Sequence, residues 1–84
     1  MDGEPAEFKR PEPGATSGTM RNGANMSKRR GGQARYLIFD LRQSGMTEAE
    51  AKRGIARIKG AYSTYFDRVR AFGNGFDVTV EVGP

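Results

Sequence analysis

From residue 35 onward the apolar side chains recur at regular intervals, and before it they do not. Residues 35–42 alternate, with Leu37, Phe39 and Leu41 on one side and Tyr36, Ile38 and Asp40 on the other, the two-residue period of a strand. Both sides carry apolar groups, so this strand is expected to be covered twice. Ser44-Gly45 breaks the alternation, and Thr47-Glu48-Ala49-Glu50 follows as a capping box, in which the Thr47 hydroxyl accepts from the Glu50 amide. A helix is therefore expected from Glu48. Its apolar positions, Ala51, Ile55, Ile58, Tyr62, Tyr65, Val69 and Phe72, are spaced 4, 3, 4, 3, 4, 3 and form one stripe over about six turns. Gly73-Asn74-Gly75 ends the stripe. Residues 76–82 then alternate Phe76, Val78, Val80 and Val82 with Asp77, Thr79 and Glu81, the pattern of a strand with one buried face.

These elements predict an α+β fold: a small strand–helix–strand, βαβ-like two-layer unit over residues 34–84, its stripe lying on Leu37, Phe39, Leu41, Val78 and Val80. Residues 1–33 read differently. They hold six glycines and three prolines with Phe8 as the one aromatic residue, too little apolar surface to offset the entropy of ordering, which predicts a disordered or extended N-terminal arm. The arm is acidic and then basic, net −2 over residues 1–20 and net +4 over residues 21–33. Met26-Ser27-Lys28 has the look of a translational start, which makes residues 1–25 a candidate upstream extension. Two strands leave both sheet edges open, to be completed by a second copy, the arm or a larger partner, and Tyr36 and Ile38 are expected to be covered by that partner.

Composition narrows the chemistry. The chain has 84 residues, 9.2 kDa, and no histidine, cysteine or tryptophan. Disulfides, thiolate nucleophiles, imidazole bases and Cys/His zinc sites are thereby excluded, leaving carboxylates, hydroxyls, lysine, arginine and tyrosine. The expectation is a protein that is not an enzyme, with no catalytic residues, no metal and no cofactor. Ser44-Gly45 precedes a helix but lacks the glycine spacing and lysine of a nucleotide loop, and Gly73-Asn74-Gly75 follows a helix, where no amides point outward. No apolar run of about 18 residues exists to span a membrane, and Asp2, Glu4 and Glu7 stand where a signal peptide would be basic. The expected location is intracellular, cytoplasmic or virion-associated, and not secreted.

Fourteen lysines and arginines against ten acidic residues give a net charge of +4. On the expected helix Arg53, Arg57 and Arg68 share the face opposite the stripe, and Lys52, Lys59 and Arg70 line one flank, with Phe66 exposed beside them for a partner. Lys28, Arg29 and Arg30 add a basic cluster before flexible glycines. These cations are candidate contacts for phosphates or an acidic protein. The reading they support is a small basic accessory protein, viral or phage-like, that docks on a larger protein or nucleoprotein assembly as structural component or inhibitor, with a homodimer among the arrangements considered. The alternative is a sequence-independent nucleic-acid-binding protein using the arm and the arginine face.

Overall fold

The computed structural model describes residues 5–29 and 34–83. Its elements are β1 (Ala6–Lys9), α1 (Ser17–Arg29), β2 (Tyr36–Asp40), α2 (Glu48–Tyr62), β3 (Arg68–Gly73) and β4 (Phe76–Glu81). The fold is α+β, a four-stranded sheet in the order β1-β2-β3-β4 with two helices against it. β1 pairs with β2 and β2 with β3 in parallel, each pair joined by a helix, and β3 pairs with β4 in an antiparallel hairpin. Two crossovers that step the same way across a sheet with the same hand put both helices on one face. α1 and α2 accordingly pack on each other and leave the opposite face uncovered by helix.

The expected strand–helix–strand unit is present as β2-α2-β3, with one change. The Thr47 hydroxyl caps α2 by accepting from the Glu50 amide at 3.2 Å, as the capping box predicts. The helix then stops at Tyr62, ten residues short of Phe72. Ser63 and Thr64 are weak helix formers, and residues 68–72 satisfy a second pattern, Val69 and Ala71 buried between Arg68, Arg70 and Phe72. As a strand they pair on both sides, with β2 and with β4. That completes a hydrogen-bonding edge on β2 that a longer helix would have left unmet. The strand starting at Phe76 therefore lies beside β3, not beside β2. The hairpin turns at Asn74-Gly75, where Gly75 supplies a φ of +89°.

Within the N-terminal arm, residues 6–9 are an extended strand on the edge of β2, and residues 17–29 form a helix. Of the three ways to complete the sheet, the arm itself closes this edge. Met20 and Ala24 of α1 are fully buried among Leu37, Phe39, Ala51, Ile55, Ile58 and Val69, so of the candidate upstream extension the described residues 5–25 belong to the folded unit. Where α1 meets α2, a Cβ on Gly54 would run into the sulfur of Met20; glycine lets the helices approach. Ala51, Ile55, Ile58 and Tyr62 bury the expected stripe, while Tyr65 beyond the helix is exposed.

Candidate functional site

Because β1, β2 and β3 are parallel, their carboxyl ends bring Lys9 and Arg10, Asp40 and Arg42, and Phe72 to one edge of the sheet. The crevice outside the carboxyl ends of parallel strands is where such sheets bind ligands. Here Phe8, Lys9, Arg10, Asp40, Arg42 and Phe72 line a cavity of about 280 Å³, with Gln43 at its rim. Asp40 is the centre of its electrostatics. Only 6% exposed, it accepts from the Arg42 backbone N–H (3.1 Å), from Arg42 Nε (3.0 Å) and Nη2 (2.9 Å), and from Arg10 Nε (3.2 Å). The Arg42 hydrogen bonds, aided by Arg10, hold its carboxyl well below the usual carboxylate range against the opposing effect of burial. Asp40 thus stays ionised and holds two guanidiniums whose side chains remain 66% and 60% exposed. The Arg42 and Arg70 guanidiniums also lie 5.3 and 5.0 Å from the Phe72 ring centre.

A second pair lies on the helix-covered face of β1, across the sheet from Phe8. Glu7 and Lys9, two residues apart on β1, point to the same side, and Lys9 Nζ donates to Glu7 Oε2 at 3.1 Å. Their side chains are 26% and 16% exposed, so the pair is half sheltered from solvent. Gly23 of α1 presses on the Lys9 stem, where a Cβ would sit 3.1 Å from Cδ. The Lys9 side chain therefore packs under α1, on the face of β1 away from Phe8. Among the described residues no group of three or more acidic side chains lies close enough to hold a metal ion.

The residues singled out from sequence do not assemble as expected. Arg53 pairs with Glu50 and Lys52 with Glu48 along α2, Lys59 lies exposed in its last turn, and Arg57 donates to Ser17 Oγ at 3.1 Å, tying α2 to the start of α1. Arg68 and Arg70 are not on a helix at all. They stand on the uncovered face of the sheet, Arg68 paired with Glu81 and 5.0 Å from the Tyr36 ring, Arg70 paired with Asp77. The arginine ridge Arg53-Arg57-Arg68 therefore does not exist, because α2 ends before its third member. Lys28 lies over the rings of Tyr62 and Tyr65, at 5.6 and 5.1 Å, Arg29 is exposed at the end of α1, and Arg30 falls outside the described residues. Phe66 is 2% exposed, a core residue and no partner contact, and Ile38 is 5% exposed between its register neighbours Phe8 and Arg70. Tyr36 is half-buried beside Arg68.

Sequence reasoning missed Phe8, Arg10, Asp40, Arg42 and Phe72 as site residues. The signal for the first two was the spacing Phe8-Lys9-Arg10, which on an extended chain puts a ring and a guanidinium on one side; it was obscured by the glycine and proline around it.

A family model described as "Contact-dependent growth inhibition CdiA C-terminal domain" matches residues 1–78, a span that reaches from before β1 into β4. No curated protein and no solved structure matches. Domains of this family are the toxin ends of contact-dependent growth inhibition proteins, which overturns both the viral or phage accessory reading and the sequence-independent nucleic-acid binder. They are delivered between bacterial cells by an outer-membrane-associated protein, which corrects the expectation of an intracellular or virion-associated chain that is not secreted. A protein partner, expected from the sequence, agrees with the family in that coarse form. No helix of the described residues is long and apolar enough to cross a membrane.

Proposed function

The chain belongs to the contact-dependent growth inhibition CdiA C-terminal domain family, and from that premise we propose that it is a toxin domain that arrests a neighbouring bacterium by hydrolysing nucleic acid. C-terminal domains of CdiA are often nucleases. The observation that supports this chemistry here is the pair of exposed guanidiniums, Arg10 and Arg42, that Asp40 holds together over a cavity at the carboxyl ends of the parallel strands. Hydrolysis of a phosphodiester needs a base for the attacking water, positive charge around the phosphoryl oxygens and a proton for the leaving oxygen. As the oxygen of the water bonds to phosphorus its proton passes to solvent, Arg10 and Arg42 compensate the charge that builds on the phosphoryl oxygens, and the oxygen released takes a proton from solvent. The reading departs from the expectation of a non-enzyme. Lacking histidine removes the imidazole base but not the arginines that compensate the phosphoryl charge. The partner in this reading is a cognate immunity protein, of the kind the family's toxins bind.

The test is inducible expression of the chain inside a bacterial host, following growth together with the integrity of total RNA and DNA. Growth arrest with fragmented nucleic acid is expected, and both are lost in Arg10→Gln and Arg42→Gln variants that retain the wild-type circular dichroism. Arrest with intact RNA and DNA would eliminate the nuclease chemistry, and unimpaired growth at detectable protein levels would eliminate the toxin.

A further inference from the structure

We propose that the cavity at the carboxyl ends of β1, β2 and β3 holds one nucleotide unit, its phosphate on the guanidiniums of Arg10 and Arg42 and its base against the rings of Phe8 and Phe72. The inference rests on the nuclease reading and specifies how the substrate sits. Charge comes first. Arg10 and Arg42 against Asp40 leave the lining with a surplus of one positive charge, Lys9 being neutralised by Glu7, which matches the single negative charge of a phosphodiester. Asp40 acts as a positioning residue: it accepts from guanidiniums of two separate segments, at 3.2 Å from Arg10 and 2.9 Å from Arg42, and overcomes their mutual repulsion before any ligand arrives. Arginine forks suit phosphate oxygens better than a lone ammonium does.

Shape and exposure supply the second half. Phe8 is 70% exposed, the most exposed large apolar side chain of the described residues, and it lines this cavity. Its edge strand buries Glu7 and Lys9 more than Phe8, the reverse of what packing alone would select. Phe72 stands in the same lining. Aromatic faces beside fixed cations bind an anion that carries a flat ring, because the base stacks while the phosphate pairs. About 280 Å³ is at the small end of the ~300–1,000 Å³ range of ligand pockets, room for one nucleotide and not for a duplex.

The experiment is calorimetric titration of the full chain with adenosine 5′-monophosphate, ribose 5-phosphate and adenosine. Adenosine monophosphate is expected to bind at least about tenfold more tightly than either fragment, since phosphate and base each contribute. Arg42→Gln is expected to weaken the nucleotide and ribose 5-phosphate alike, while Phe8→Ser lowers nucleotide affinity to that of ribose 5-phosphate and leaves the latter unchanged. Both positions are exposed, and circular dichroism verifies that the variants fold. Equal affinities for nucleotide and ribose 5-phosphate, or no binding by the folded wild-type chain, would overturn the proposal. A short single-stranded oligonucleotide is expected to displace the nucleotide; binding without displacement would overturn its assignment to substrate. Nucleotide binding by a chain that leaves host RNA and DNA intact would overturn the nuclease reading and leave this site standing, so that failure of cleavage and failure of this site are read separately.

Discussion

Asp40 is nearly buried and yet charged, because Arg42 and Arg10 replace the water it has lost. Asp67 and Asp77 follow the same rule in more open positions. Arg35 donates to Asp67 and Arg70 to Asp77, and these hydrogen bonds lower both carboxyl values from the ordinary one. A carboxyl whose folded value lies below its unfolded value of about 3.9 contributes stability that is complete above that pH. The contribution disappears as pH falls through the lowered folded values. Melting temperature is therefore expected to be flat from about pH 7 to 5 and to fall below about pH 4. Asp40→Asn should lower the melting temperature at pH 7 and flatten the acid limb, since the group that titrates is gone. A melting temperature indifferent to pH between 5 and 2 would show the ion pairs of these three carboxylates to be without effect on stability.

The two helices meet at a point where glycine is required for space. Gly54→Ala adds a methyl where the sulfur of Met20 lies, and Met20 is fully buried, so the clash is expected to outweigh the gain in helix propensity and cost about 1–3 kcal/mol. Gly60, on the same helix with open space around it, gives the opposite sign: Gly60→Ala is expected to stabilise by about 0.5–1 kcal/mol. Denaturant midpoints of the two variants check both. Much of this level was legible in the sequence. The start of α2, the strand at Tyr36 and the strand at Phe76 lie where alternation and the capping box put them. The end of α2 was not, because Tyr65, Val69 and Phe72 continue the helical spacing while Val69 and Ala71 also alternate with arginines. Only the unmet edge of β2 decides between the two. α1 was hidden for another reason: Gly18, Asn22, Gly23 and Asn25 are poor helix formers, and Met20 and Ala24 hold it through packing on α2. The candidate site was the least legible part. Lys9, Asp40 and Phe72 are far apart in the chain and meet only through strand order.

At the scale of the whole molecule, the N-terminal third is structural. Removing residues 1–25 takes away β1 together with Met20 and Ala24, and opens Leu37, Phe39, Ile55 and Ile58 to water. The shortened chain is expected to lose its cooperative thermal transition by circular dichroism and to bind a hydrophobic dye. A sharp melt at the full-length temperature would show β1 and α1 to be dispensable. The order of strands in the sheet is also their order along the chain, so every pairing joins consecutive strands, with β1 on one margin and β4 on the other. A pull on either terminus therefore reaches a marginal strand first and meets one ladder of hydrogen bonds at a time, as a zip opens tooth by tooth. In a family whose domains are carried from one cell into another, this strand order lets a chain come apart from a margin inward and rebuild by pairing each strand with the one before it.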